Sequence, residues 1–494
     1  MSPTKPEMSA PESGVAVRMY NTGFGDCLLL AFRADSGDPR YVLIDFGVHH
    51  QYPGREEQVE LVAKDIAKAT AGHLHIVAAT HEHTDHLYGF KYARDVFDAI
   101  TIDEVWLAWT EDPNSVEAHE LKERYGMRIR ALGAAIERLR KSHQRSADAL
   151  QGVLDFEYPG ALGASEGGKA AQLEYLKNKS KKKLEKSEDY RQPGETLFGI
   201  PDVSGVRVYV LGPPTEVEWI RSLERKSELY PEATSMTALD AFAVAAIAAA
   251  QEGKLSERDE RLFSWSRPFD GSLAIPEKSA ADVGFFKEHY GFTSRSSHGP
   301  EWRRIDTDWL TSAEQLALDI ESKTNNTSLV LAFELIGSEQ RKVLLFAADA
   351  QVGNWLSWHE WIWLGEGEDD PDVTAEDLLN RTVLYKVGHH GSRNATLSWQ
   401  GLEMMQSSDL VAMIPVDADW ALNTMDWEHP ADTLLSKLTE KSHGRVVRTD
   451  RIPTGSTAPS RPPEAGKNEW KDFLKNLDWD KSGNQLWIQY TVTE

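Results

Sequence analysis

The chain has 494 residues, a single cysteine and a formal net charge of −24, long enough for one large domain with insertions or for two domains. The lone Cys27 excludes disulfides within the chain and points to a reducing compartment, and the acidic balance opposes non-specific coating of nucleic acid or of anionic membrane. No apolar stretch approaches the roughly 20 residues that span a bilayer, so a soluble, cytoplasmic protein with no membrane association is expected.

Residues 1–14 place Pro3, Pro6 and Pro11 among small and polar side chains without the apolar core of a signal peptide, and a disordered leader is expected there. Residues from about 15 to 48 read as two or more strands of alternating or continuous apolar character. Val59, Val62 and Ile66 share one face of a helix over 57–70. The apolar run 75–79 then reads as a buried strand, and a helix is expected over 87–97. Leu132, Ile136 and Leu139 set helical spacing in a charged stretch. With the lysines at 177, 179, 181, 182, 183 and 186 this stretch makes an insertion over 111–190. The lysines read as a solvated face, with a local basic groove as the alternative. The Pro193-Gly194 turn and a strand over 206–211 return the chain to the core within 191–214.

A second insertion, 215–320, combines an Ala-rich helix over 241–250 with a polar and aromatic region over 264–309. Residues 321–494 complete the core. In this last part Trp355, Trp358, Trp361 and Trp363 stand at near-helical spacing and read as core, and the acidic run 365–372 reads as a solvated linker. Strands and helices alternate throughout, so the class is α/β.

Between the strand at 75–79 and the helix that follows lies His81-Glu82-His83-Thr84-Asp85-His86. Imidazole and carboxylate are the usual ligands for zinc and similar divalent ions. A turn this tight cannot aim every side chain at one ion. His81 and His83 are expected to hold one metal, and Asp85 with His86 a second. The bland alternative is a His-rich surface loop, which the particular spacing argues against.

This loop resembles the signature of the metallo-β-lactamase fold superfamily. The chain around it is similar to one branch, the soluble hydrolase domain of the competence protein ComEC and its free-standing relatives. The resemblance rests on Gly25-Asp26 before Leu28-Leu29-Leu30, on Ile44-Asp45-Phe46-Gly47, on Asn325-Asn326-Thr327-Ser328 and on Ala348-Asp349. It also rests on Lys386-Val387-Gly388-His389-His390-Gly391-Ser392, on His429-Pro430 and on Arg448-Thr449-Asp450. It implies an αββα sandwich with two large insertions, its halves being 15–110 and 321–494, and with metals at one sheet edge. ComEC itself is a membrane channel, from which the missing apolar spans separate this chain.

In that frame Asp349 bridges two cations, and one of His389 and His390 completes the second. Asp45 braces a ligand histidine while Gly25 and Asp26 support the loop. His429 is the candidate for protonating the leaving group. Lys386 and Ser392 are candidate phosphate contacts, with Lys386 alternatively a strand residue in a salt bridge. Many members use a further histidine where this chain has Leu211-Gly212-Pro213-Pro214, so a single ion or a water-filled position stays open.

The expected function is a metal-dependent hydrolase using a metal-activated hydroxide, oriented by Asp85, with two zinc ions or manganese in their place. The resemblance implies a phosphodiesterase acting on nucleic acid or a nucleotide. The alternatives are hydrolysis of an acyl bond, as in a lactam, lactone or thioester, and a metal-binding subunit that meets protein partners through the insertions.

Overall fold

The computed structural model describes residues 5–140, 168–197, 199–220, 277–290, 323–337, 340–365 and 370–493, with isolated positions between them. The chain divides into two compact units, one made of Met1–Leu121, Ser165–Glu228 and Ser322–Glu494, the other of Lys122–Ala164 and Leu229–Glu321.

The first unit holds two seven-stranded sheets. The chain opens with β1 (Val15–Tyr20), β2 (Leu28–Arg33), β3 (Pro39–Ile44), β4 (His73–Ala78) and β5 (Thr101–Trp106). It continues with β6 (Thr196–Leu197), β7 (Val206–Gly212), β8 (Val330–Leu335) and β9 (Val343–Phe346). A short ribbon follows, β10 (Ile362–Trp363) with β11 (Val373–Thr374), then β12 (Thr382–Lys386), β13 (Val411–Ile414) and β14 (Val446–Arg448). The last strands, β15 (Leu477–Trp479) and β16 (Trp487–Val492), return to the first sheet. Its order is β15-β16-β1-β2-β3-β4-β5, and that of the second is β14-β13-β12-β9-β8-β7-β6. Each sheet joins an antiparallel part to a parallel part: β3 runs parallel to β4 and β5, and β9 parallel to β12, β13 and β14.

Period-two alternation explains the layering. Val15, Val17, Met19, Leu28, Leu30 and Phe32 share one core with Val208, Leu331, Phe333, Leu344 and Phe346 of the other sheet. Phe32 stacks on Phe333 with ring centroids 5.8 Å apart. The intervening residues turn outward, Ala16, Leu29, Ala31 and Leu43 toward one helical layer and Val330, Ala332, Val343 and Leu345 toward another. Two sheets thus pack face to face with helices outside. On the first outer face lie α1 (Arg55–Ala69), α2 (Thr84–Tyr92) and α3 (Arg94–Ala99). Helix α1 buries Val59, Val62, Ala63, Ile66 and Ala69, the expected stripe, and carries Glu56 and Glu57 in its first turn with Lys68 in its last, signs that suit the helix dipole. The α/β class therefore stands.

The second unit takes in most of α4 (Val116–Leu139). There Ile129, Leu132 and Ile136 form a small core with Leu150, Leu154, Leu316 and Ile320.

Several expectations are corrected. The helix expected over 87–97 is two helices separated at Ala93, and α2 begins inside the histidine motif at Thr84. The helix Lys169–Lys179, placed in the first insertion, lies in the first compact unit. Its Leu173 and Leu176 join Phe97 and Ile102 in the core of the first unit.

The leader is not free throughout: the Glu7 and Met8 amides donate to Lys68 O and Ala69 O at 3.2 and 3.1 Å, and Met8 is buried. Trp355, Trp358 and Trp363 are buried, and the helix there is Val352–Ser357. Of the acidic run, 366–369 lie outside the described residues, and Asp370 pairs with Arg207 and Arg341 at 2.9 and 3.1 Å, so it is no mere linker. Residues 241–250 and most of 264–309 also lie outside the described residues.

Candidate metal centre

The motif histidines lie just beyond the carboxyl end of β4, and Asp45 follows β3. In the second sheet Asp349 follows β9, and His389 and His390 follow β12. All four strands lie in the parallel parts, where loops at carboxyl ends form binding crevices. Neighbouring backbone clamps the motif loop. Asp26 N donates to Asp85 O at 2.8 Å, Phe46 N to His86 O at 3.0 Å and Val48 N to Thr84 O at 3.3 Å. Gly47 approaches so closely that a Cβ there would lie 1.9 Å from Asp85 C and O, and one at Gly25 2.8 Å from the same oxygen. These glycines are needed for close approach, since neither has a positive φ.

Two groups of donors form within this frame. His81, His83 and Asp349 make one, and Asp85, His86, Asp349 and His390 make the other. Every member is buried, and Asp349 belongs to both. His81 Nε2 lies 3.0 Å from His83 Nδ1 and 3.8 Å from Asp349 Oδ2. His86 Nε2 is 3.1 Å from Asp349 Oδ2 and 3.9 Å from Asp85 Oδ2, and His390 Nε2 is 2.9 Å from Asp85 Oδ2. Donors bound to one zinc at about 2.0–2.1 Å stand roughly 3.3 Å apart in a tetrahedron, so these separations fit a shared ion. His86 Nε2, Asp349 Oδ2 and Asp85 Oδ1 are also buried without a hydrogen-bond partner. Buried polar atoms are rarely left so. The donor set fits a divalent metal.

Second contacts aim the imidazoles. His86 Nδ1 lies 2.7 Å from Asp45 Oδ2, and His390 Nδ1 lies 2.7 Å from Pro415 O. Donating there leaves each Nε2 lone pair to face the centre. Asp45 also accepts from Thr80 N at 2.8 Å and Thr80 Oγ1 at 2.7 Å.

Burial alone pushes the Asp85 carboxyl up, but His86 and the His390 hydrogen bond hold it well below the usual carboxylate range. Asp349 is likewise held low, its burial outweighed by His86, His389 and Lys386. Burial, with His86 and His83, holds His81 well below the ordinary imidazole value. His86 is raised well above that value, because Asp349, Asp45, Asp26 and Asp85 outweigh its burial.

The remaining predicted residues take different places. His390 enters a donor group and His389 does not. His389 instead donates its backbone amide to Asp349 Oδ1 at 3.1 Å, its Nδ1 unpartnered. Both residues adopt left-handed backbone, φ 45° and 52°, and their ring centroids lie 6.1 Å apart. His429 is half-buried, its ring 5.7 Å from that of His389. Burial, with His389 and His390, pulls its pKa down to about 3. It is therefore neutral near pH 7 in the metal-free chain.

Lys386 is buried, paired with Asp26 and bonded to Ala348 O at 3.1 Å. It stands as an internal counterion, the salt-bridge alternative weighed for it. Ser392 is half-buried and donates to Asn394 Oδ1 at 2.7 Å. In the lysine run Lys181 and Lys182 pair with Asp103 and Glu104 of β5, while Lys177 and Lys179 cap backbone carbonyls.

Sequence reasoning missed Thr80 and Ser328. Ser328 Oγ lies 3.4 Å from His81 Nδ1 and accepts from Asp349 N at 3.3 Å. A signal existed in both cases, a hydroxyl abutting the histidine motif and a polar run poised before a strand.

Two other clusters have ligand-like composition. In Asp26–Asp45–His86 the carboxylates already serve Lys386, Thr80 and His86. In His73–His75–Asp103, His75 Nδ1 accepts from Tyr41 N at 3.0 Å and Asp103 is neutralised by Lys181.

Comparison with known proteins returns no match, whether to a family model, a curated protein or a solved structure.

Proposed function

We propose that the protein is a metal-dependent hydrolase of the metallo-β-lactamase type, cleaving phosphodiester bonds in nucleic acid or a nucleotide. The observation that carries this reading is the buried Asp349 carboxylate shared by a group of three donors and a group of four. The helix–sheet–sheet–helix layering and the placement of the site at carboxyl ends of strands support the fold assignment. The run from Lys386 to Ser392 supports the phosphodiester over an acyl bond, through its likeness to the ComEC branch. Imidazole suits zinc, and the carboxylates admit manganese. Two bound ions would lower the pKa of water toward neutrality and offset charge developing on the attacked group.

The chain's own residues do the positioning. Asp45 and the Pro415 carbonyl fix the tautomers of His86 and His390. Gly25 and Gly47 let backbone press on the Asp85 carbonyl and so set the loop height. Lys386 offsets the Asp26 and Asp349 charges from beneath.

The test pairs wild type with Asp85→Ala, each equilibrated with zinc or manganese and checked for metal content. Substrates are bis-p-nitrophenyl phosphate, single- and double-stranded DNA, and RNA. Cleavage by wild type that Asp85→Ala abolishes supports the reading. Metal-loaded wild type that leaves every phosphodiester intact sinks it.

A further inference from the structure

The His81–His83–Asp349 group has one protein donor fewer than its neighbour. Three donors leave a divalent ion short of its usual coordination. Beside this group runs the turn over 323–328, which is fastened to both loops that supply it. Leu329 N donates to Thr80 O at 2.9 Å, next to His81. On the other side Asn326 Oδ1 accepts from Gln351 N at 3.2 Å and Asn354 N at 3.1 Å, just past Asp349. Asn326 Nδ2 also donates to Ile220 O at 3.2 Å. Asn326 is thus fully engaged in holding the turn.

Its neighbour Asn325 is fully buried, and neither Oδ1 nor Nδ2 has a hydrogen-bond partner. Among the described residues it is the one side chain with both polar atoms in that condition. Burying an unsatisfied amide is strongly unfavourable, and a fold keeps such a group where something meets it. The other fully buried atoms in this state include Asp85 Oδ1, His86 Nε2 and Asp349 Oδ2, all of the metal centre. Only a short turn separates Asn325 from Ser328, whose hydroxyl touches His81 and the Asp349 amide.

We infer that Asn325 belongs to the metal centre, its Oδ1 serving as the neutral oxygen donor that completes the His81–His83–Asp349 group around a divalent ion. This rests on the proposed metal centre and adds to it a donor of a different kind. A carboxamide oxygen is harder than imidazole, so this position favours manganese relative to an all-histidine one.

The experiment uses the full chain as wild type, Asn325→Leu and Asn325→Asp. Metal stoichiometry and affinity are measured for Mn2+ and Zn2+ against a competing chelator, and melting temperature is measured without metal. Asn325→Leu removes an unsatisfied amide at similar volume, so its metal-free melting temperature should equal or exceed that of wild type. It should bind the second Mn2+ at least 10-fold more weakly, while Asn325→Asp binds both ions at least as tightly as wild type. Wild-type affinity for both ions in Asn325→Leu overturns the inference, as does a lowered metal-free melting temperature, which would show the amide partnered within the fold. Wild type that holds a single ion overturns it too. Wild type that binds no ion removes the proposed function itself.

Discussion

Replacing Asp45 with asparagine isolates the role of one charge beneath the metal centre. Asp45 is fully buried and accepts from Thr80 N, Thr80 Oγ1 and His86 Nδ1 at 2.8, 2.7 and 2.7 Å. Its backbone sits at φ 55°, a left-handed conformation that asparagine tolerates as well as aspartate, so backbone strain does not confuse the comparison. Asparagine keeps one acceptor oxygen, which can serve Thr80, and turns an NH2 toward His86 Nδ1. Two donors then face each other. The imidazole escapes by moving its proton to Nε2, the atom that lies 3.1 Å from Asp349 Oδ2 and is needed as a lone pair. Loss of such a supporting partner costs about 10–100-fold in metal affinity, or roughly 1.4–2.7 kcal/mol. Chelator competition on wild type and Asp45→Asn reads this directly, with circular dichroism to confirm an unchanged fold. Unchanged metal affinity in a folded Asp45→Asn protein would refute the argument that Asp45 sets the His86 tautomer.

Three further outcomes are expected. Lys386→Met removes the cation paired with the buried Asp26 and should cost about 3–5 kcal/mol in denaturant unfolding, while Lys386→Met with Asp26→Asn regains part of the loss. Gly47→Ala drives a Cβ to 1.9 Å from the Asp85 backbone, so it should lose about 1–3 kcal/mol of stability and bind less metal by elemental analysis. Burial, with His73 and Arg40, pulls the pKa of His75 down to about 4. The unfolded chain, with an imidazole near about 6.5, binds the extra proton between those values, so stability is full above about 6.5 and falls as pH drops toward about 4. His75→Gln should therefore flatten the acid limb of a stability–pH curve by about 1.4 kcal/mol per unit, and an unaltered slope would count against it.

Much of the first sheet was legible because burial on both faces leaves a plain mark. Leu28, Leu29 and Leu30 point alternately into two cores, and a run of that kind has few other solutions. The histidine motif was legible as a unit because its spacing is set by one turn. What escaped the sequence depended on direction and depth. His389 and His390 are adjacent and chemically identical, and spacing alone does not say which of them joins Asp85. Lys386 in a motif rich in polar residues invites a surface role, yet it points inward to Asp26. The helix Lys169–Lys179 reads as an extension of a charged insertion, because its buried side joins Leu173 and Leu176 to the polar Lys169 and Gln172. Thr80 and Ser328 matter through what they touch across the fold, and hydroxyls carry no periodic signal.

The pairing of β1 with β16 has a kinetic consequence. Arg18 and Gln489, joined across that pair, stand 471 residues apart in the chain. A nascent polypeptide therefore exposes one edge of β1 until β16 emerges, although β2, β3, β4 and the histidine loop have long left the ribosome. Loop-closure entropy across such a separation slows the step that completes the sheet. Until then an apolar edge is open to pairing with other chains, so the yield of active protein in a cell should track translation speed and chaperone supply more closely than the stability of the finished molecule.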